Sequence, residues 1–440
     1  MERLDFMETI DMAASPSFWN SRIKSNSVLI LIVTSLFFFY EFGIINIFDV
    51  LQQPISHVYN LTPGESGFVS SLYFYTDLLM IFPAGMLLDR YSPKLLIILA
   101  LLTCAGGLFC IAVSHSLALL AVSRLVMGLG GGFCFAGCIR VAANWFNAEH
   151  MGRASGVIVT IGMLGGAVSQ GPMQNLVNMM GWREAVIVVA MIGLVIALLI
   201  AVLVQNAPIG SKKRVAERAK HLQELGVWAS LKMILRVRQN WLAALYTSLI
   251  NMPIFMLGGF LGIAMLMRLY NYDHETAAWI ASMLFLGAVF GSIAAGVISD
   301  WMHRRRRPML IGGLLSLAAI FSVQFTVTHD TMLLATLFFA LGFFTSAQII
   351  SYAFVAETNS PMVTSTAVGI ISVLAVGGGA IIQPLSGWML SLGTKTMEHG
   401  KAVYSSGAYQ STLWLIPVCF VAAIILASFI KETYCKQQID

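Results

Sequence analysis

Five charged side chains stand inside long apolar runs of this sequence: Glu41, Asp49, Asp77, Arg124 and Arg140. Ionisable groups are costly in hydrocarbon, so those found there face a cavity or a partner and mark paths for ions or substrates. Glu41 lies mid-run and is the leading candidate for a proton-coupling site or for the partner of a substrate ammonium. Thr34 and Gln52, seven residues before it and eleven after, share its face. Asp77, one turn beyond Tyr73, is a second candidate for proton coupling or for a gate. Arg124 stands seven residues into its run, where a guanidinium suits an anion or a zwitterion. Arg140 falls on the opposite face and nearer the run's end, as an anchor. Asp49 lies toward the far end of its run and reads as solvated. The later part of the chain carries neutral polar groups instead: Tyr246, Asn251, Gln348, Ser351, Tyr352 and Gln383. The expected substrate contacts are Tyr40, Glu41, Tyr73, Arg124, Gln170, Asn251, Gln348, Tyr352 and Gln383. Asn251-Met252-Pro253 either breaks its helix and exposes carbonyls or only kinks it.

Nothing in the sequence points to an enzyme. There is no Walker A loop and no apparent Ser-His-Asp or zinc-binding cluster, so no catalytic residue, metal or cofactor is expected. The six cysteines lie in apolar runs or the tail and make no disulfide framework.

The elements that carry these residues follow from composition. Of 440 residues, 58% are hydrophobic and only 11% charged, with mean hydropathy +0.80. Ordinary soluble domains carry about 25% charged residues, so soluble domains and disorder are both excluded. Apolar runs occupy 28–51, 66–88, 95–114, 117–142, 153–178, 184–205, 241–269, 276–300, 308–328, 331–356, 363–391 and 407–430. At about 20 residues per crossing they predict an all-α membrane protein of twelve transmembrane helices. The domains expected are an N-tail (1–27), a six-helix bundle (28–205), a polar linker (206–240) with short surface helices, a second six-helix bundle (241–430) and a C-tail (431–440). No cleavable signal peptide is visible in the first 25 residues. With the N-terminus inside, the inside segments hold 20 Lys and Arg and the outside loops 4. The positive-inside rule then puts both termini in the cytoplasm. The net charge of +5 sits in those inside loops and does not signal nucleic acid.

The two halves repeat. Ala154-x-Gly156, Gly165-Gly166-Ala167 and Gln170 return at an offset of 213 as Ala367-x-Gly369, Gly378-Gly379-Ala380 and Gln383. Gly85-x-x-x-Asp89 returns at 211 as Gly296-x-x-x-Asp300. This is the pattern of an internal duplication about an axis along the membrane normal. Glycine lets helices approach closely, and an Asp at a helix end pairs with basic groups or faces another helix's N-terminus. Gly85, Asp89, Arg90 and Lys94, with Gly296, Asp300 and Arg304, therefore read as a gating latch in two copies.

These residues resemble the major facilitator superfamily over roughly 28–430. Its G-x-x-x-D-R-x-x-x-[KR] signature stands as Gly85-Met-Leu-Leu-Asp89-Arg90-Tyr-Ser-Pro-Lys94, and its R-x-x-x-G-x-G motif as Arg124-Leu-Val-Met-Gly128-Leu-Gly130. The antiporter motif G-P-x-x-G-G is lost after Gly171-Pro172. The resemblance implies two pseudo-symmetric six-helix bundles, with helices 1, 4, 7 and 10 lining a cavity and 3, 6, 9 and 12 facing lipid. A narrower likeness, at Phe39-Tyr40-Glu41-Phe42, Ser71-Leu-Tyr73-Phe-Tyr75 and Pro83-Ala-Gly85, is to the phagosomal transporter group of intracellular bacteria. It departs from that group after Glu41, at Ile44-Ile-Asn46-Ile-Phe-Asp49.

The function expected is proton-coupled symport of a small polar nutrient, an amino acid or nucleoside, by alternating access. An organic-anion or carboxylate-siderophore transporter and a non-transporting membrane sensor are the alternatives. The resemblance implies a monomer in the cell (inner) membrane, whose partners are a small-molecule substrate, protons and the lipid bilayer.

Overall fold

The computed structural model describes residues 21–146, 148–206, 234–326, 330–359, 364–398 and 401–438, with side chains at 21–26, 89–90, 148–153, 364–366, 395–398 and 401–403 outside that description. Most of the N-tail and linker, the expected linker helices, and the Asp89 and Arg90 side chains therefore fall outside it.

Twelve helices are long and apolar enough to cross a membrane. The first half holds α1 (Ser27–Tyr59), α2 (Pro63–Leu88), α3 (Pro93–Ala112), α4 (Leu117–Trp145), α5 (Ala154–Met180) and α6 (Trp182–Leu203). The second holds α7 (Met252–Tyr270), α8 (His274–Trp301), α9 (Arg306–Phe325), α10 (Thr331–Thr358), α11 (Ala367–Leu392) and α12 (Ser406–Ser428). A further helix, Arg238–Ile250, leads into α7.

Caps set the boundaries more sharply than hydropathy does. Thr62 and Glu65 form a capping box ahead of Pro63, so α2 begins three residues before its apolar run. Asn60 and Asn271 both adopt left-handed backbone, at φ 53° each, and end α1 and α7. Thr62 and Asp273 then cap α2 and α8. Each pair is offset by 211, the offset of the Gly-x-x-x-Asp motifs. A short hairpin, β1 (Lys395–Glu398) with β2 (Lys401–Tyr404), joins α11 to α12. The sequence reading did not anticipate it.

The outer helices show apolar side chains to the bilayer: Leu99 and Phe109 on α3, Leu198 and Val202 on α6, Ile311 and Leu314 on α9, Val418 and Ile425 on α12. The repeated Gly-Gly pairs explain the inner packing. A Cβ on Gly165 would sit 1.9 Å from Phe39 O of α1, and one on Gly378 would sit 2.5 Å from Ser248 Oγ in the lead-in to α7. Each first glycine thus seats its helix inside its own half. The second glycines lie at the seam, Gly166 against Phe285 of α8 and Gly379 between Phe255 of its own half and Phe74 of α2.

Among the described residues, the tight contacts between the halves lie toward one end. There, a Cβ on Gly67 of α2 would lie 2.6 Å from Gln383 O of α11, and one on Gly387 would lie 2.3 Å from Pro63 O. Eighteen residues make five full helical turns, so Gly85 lies on the same face of α2 as Gly67, and Gly369 on the same face of α11 as Gly387. At Gly85, Gly369, Gly156 of α5 and Gly296 of α8, a Cβ would meet nothing within 4 Å. All four lie near the end that carries the Gly-x-x-x-Asp motifs. Among the described residues, then, the seam is closed at the opposite end and open at this one.

Candidate functional site

Three of the five intramembrane charges of the first half, Glu41, Asp77 and Arg124, lie together. Tyr73 on α2 donates its hydroxyl to Glu41 Oε1 on α1 at 2.5 Å. The same ring lies 5.4 Å from the Arg124 guanidinium, which also sits over Phe48 at 5.0 Å. Tyr73 therefore stands between the carboxyl and the guanidinium, and among the described residues Arg124 makes no ion pair. Asp77, also buried, completes the group one turn along α2.

The R-x-x-x-G-x-G spacing explains how α4 delivers the arginine. A Cβ on Gly128 would sit 2.1 Å from Tyr73 O, and one on Gly131 2.0 Å from the Tyr73 hydroxyl. Only bare backbone lets α4 come this close to α2. Thr76 Oγ1 then donates to Leu125 O at 2.7 Å across the contact. Gly130 turns the other way and seats α4 on Ala100 and Cys104 of α3.

Arg124 is fully buried. Its Nη2 donates to Ser70 O at 2.7 Å, while Nε and Nη1 have no hydrogen-bond partner. A buried guanidinium with donors unmatched on both edges, Nε on one and Nη1 on the other, has hydrogen bonds to offer an anion.

The second half answers with a broken helix. The chain turns at Asn251, restarts at Met252-Pro253, and runs as a π-helix from Leu257 to Leu261 before Gly262–Tyr270 resumes. The irregularity therefore combines a proline with a π-helical turn in a backbone that stays helical. Pro253 removes one donor, and Gly258, Gly259 and Gly262 tolerate the wider turn. Gln170 of α5 donates to Gly258 O at 2.6 Å and to Asn46 O at 3.2 Å. Gln383 of α11, its repeat partner, donates to Phe255 O at 3.1 Å. Both amide NH2 groups are claimed by backbone, so their oxygens, with Asn46 Oδ1, are left without donors.

The remaining expected residues are dispersed. Tyr40 packs on α6, where a Cβ on Gly193 would lie 2.5 Å from its ring, and so points away from the seam. Asn251 stands at the N-cap position of Met252–Met256 without a side-chain capping bond. Gln348 and Tyr352 lie around a 3₁₀ turn in α10, Ser346–Ile349. A groove of about 340 Å³ between Gln53, His57, Gln174 and His274 sits at the closed end and contains none of the charged group.

At the open end the ion pairs near the second Gly-x-x-x-Asp copy fall on the residue after Arg304. Arg305, not Arg304, pairs with Asp300 and with Glu357 of α10, each at 2.7 Å. Burial opposes its charge, yet the hydrogen bonds it donates to Glu357 and Asp300 hold the Arg305 guanidinium protonated above its ordinary range. Arg304 instead lies over the Tyr434 ring at 5.3 Å. The C-tail joins this cluster, since Glu432 accepts the Arg305 N–H and Thr433 donates to Glu357. In the first copy, the Lys94 N–H and Ser92 Oγ bond the Asn206 side chain.

Two groups escaped the sequence reading. Asp49 is buried, not solvated, and Oδ2 accepts the Ile263 N–H of α7 at 3.3 Å. Ser282 of α8 bridges to α5 through Ala167 O at 3.1 Å and Gly171 N at 2.9 Å. The glycines at 258, 259 and 262 were the available signal for the break that Asp49 meets.

Residues 30–262 and 243–434 each match the family model of the Major Facilitator Superfamily. An uncharacterized MFS-type transporter of Caenorhabditis elegans is 24% identical, covering 89% of this chain and 67% of its own length. A probable sulfoacetate transporter of Cupriavidus necator is 25% identical over 73% of this chain and 77% of its own. A probable L-galactonate transporter of Escherichia coli is 23% identical, over 68% of each. Among solved structures, a bacterial homolog of the human lysosomal transporter Spinster, inward-facing and unoccupied, superposes with a TM-score of 0.72 at 17% identity, covering 92% of this chain and 96% of that one.

Proposed function

The chain belongs to the Major Facilitator Superfamily and is a membrane transporter, and on that premise we propose that it carries a small organic anion by proton-coupled alternating access. The observation that carries this reading is Arg124, buried, without an ion pair, and with Nε and Nη1 unmatched. A carboxylate or sulfonate reaching it supplies a missing acceptor and the missing countercharge. The relatives' names agree, since sulfoacetate and L-galactonate are both organic acids. For this reason the anion is preferred to the amino acid or nucleoside expected from the narrower sequence likeness.

Glu41 is the proton site in this reading, and Asp77 its neighbour in the same group. Tyr73 links them to the anion site, bonding Glu41 through its hydroxyl and Arg124 through its ring. The 28–205 and 241–430 bundles rock about the seam, and Gly85, Gly296, Gly156 and Gly369 supply the faces that close when the opposite end opens. The basic loops flank the open end, so the positive-inside rule makes it cytoplasmic and the state inward-facing.

The test is proton flux in proteoliposomes with a trapped pH dye. Sulfoacetate, an aldonate, an amino acid and a nucleoside are added outside in turn. Acidification is expected with the organic acids, lost in Glu41→Gln, with binding lost in Arg124→Lys. Acidification with only the amino acid or nucleoside refutes the anion reading.

A further inference from the structure

The break in α7 is gripped from the other half at two points. On its near side Gln170 of α5 donates to Gly258 O. On its far side, after the π-helix, the Ile263 N–H donates to Asp49 of α1. The first-turn N–H groups of a helix segment lack partners within it, and the positive end of the segment favours a carboxyl oxygen. Asp49, Ile263 and the whole Leu257–Leu261 turn are buried, so no water substitutes for this contact while the end is closed. Asp49 belongs to the first half and Ile263 to the second. The bond can persist only while the two halves touch.

We propose that Asp49 is the latch of the closed end, a positioning residue that holds α1 to the outer segment of α7 and must release the Ile263 N–H before that end opens. A carboxyl is suited to this. It binds a backbone N–H more firmly than an amide oxygen does, yet it is readily solvated once water enters, so opening exchanges one good environment for another. Asp49 Oδ1 has no partner in the closed state, which keeps the latch from becoming a permanent tie. The inference rests on alternating access but not on the anion or the proton site.

The closed end is read by a disulfide. A Cβ on Gly64 would lie 3.9 Å from Ser391 Oγ, so Gly64→Cys with Ser391→Cys reports closure, in a background where Cys110, Cys419 and Cys435 are replaced by alanine. A separate Gly85→Cys chain reports the open end through maleimide labelling. Both are measured in detergent without cargo or gradient, so the outcome is independent of what is transported. Adding Asp49→Ala is expected to slow cross-linking about tenfold, the factor that about 1.4 kcal/mol carries, and to slow Gly85→Cys labelling with it. Asp49→Asn keeps an acceptor oxygen and is expected to stay within about threefold of the parent, less than 1 kcal/mol. Cross-linking in Asp49→Ala at the parent rate overturns the proposal. If Asp49→Ala does not fold, Asp49→Leu is read in its place. Equal loss in the Asn and Leu variants overturns the proposal, because a retained acceptor would then have made no difference.

Discussion

Removing one oxygen, in Tyr73→Phe, separates the two tasks assigned to this side chain. The hydroxyl is the donor to Glu41, at 2.5 Å. The ring is the surface beneath Arg124, at 5.4 Å, and it meets Phe74 edge-on at 5.5 Å. Phenylalanine keeps the ring and both ring contacts. It deletes the one hydrogen bond the Glu41 side chain makes among the described residues. Losing a donor to a buried polar group changes its free energy by about 1–3 kcal/mol, a factor of about 5 to 150. The change acts differently on the neutral and charged carboxyl. A cycle that must both load and unload a proton is slowed whichever form gains. Gradient-driven uptake in Tyr73→Phe should therefore fall about 5- to 150-fold. Binding of an organic acid, read by thermal shift, should move less than about threefold, because a cation–π contact of about 0.5–2 kcal/mol is retained. Tyr73→Leu loses both and should weaken binding as well. The reasoning fails if Tyr73→Phe weakens binding as much as Tyr73→Leu, or if it transports at the parent rate.

Other consequences are as specific. Arg305→Gln breaks ion pairs to Asp300 and Glu357 and should lower the melting temperature clearly, while Arg304→Gln, which touches only the Tyr434 ring, should leave it nearly unchanged; equal effects would contradict the shift by one residue. Gly67→Ala forces a methyl to 2.6 Å from Gln383 O, and overpacking of about 1–3 kcal/mol should destabilise this closed state. Gly85→Ala meets nothing and should melt within a degree or two of the parent; an equal loss at both glycines would refute the one-sided seam. Gln170→Ala leaves Gly258 O without its donor and should slow transport more than Ser169→Ala, whose hydroxyl bonds only Gly166 O in its own turn.

Much of this was legible in the sequence, because hydrocarbon punishes exceptions. Twelve apolar runs give twelve helices, and the Gly-Gly-Ala repeats at 165 and 378 do seat equivalent helices. The clustering of Glu41, Tyr73, Asp77 and Arg124 follows the rule that intramembrane charges find one another. What was hidden depended on direction, not on type. Tyr40 and Glu41 are adjacent, yet one turns to α6 and the other to α2, because successive helical residues diverge by about 100°. Asp49 read as solvated because its depth was judged from distance along α1, while its burial comes from α7, some 210 residues away. Arg304 and Arg305 are indistinguishable as residue types in a run of four arginines. Only the turn ahead of α9 selects the second.

The two halves descend from one pattern, yet α7 has made them unequal. Its counterpart α1 runs as one helix from Ser27 to Tyr59, losing only the donor that Pro54 lacks. The second half, in contrast, displays Gly258 O and the Ile263 N–H, whose partners Gln170 and Asp49 come from outside it. Gln170 and Gln383 still occupy mirrored positions, but both now serve the same break. A chimera built from two first halves would lack any break to grip, and one built from two second halves would have two breaks and neither Asp49 nor Gln170 to satisfy them. The halves are therefore no longer interchangeable, since each supplies partners that the other lacks.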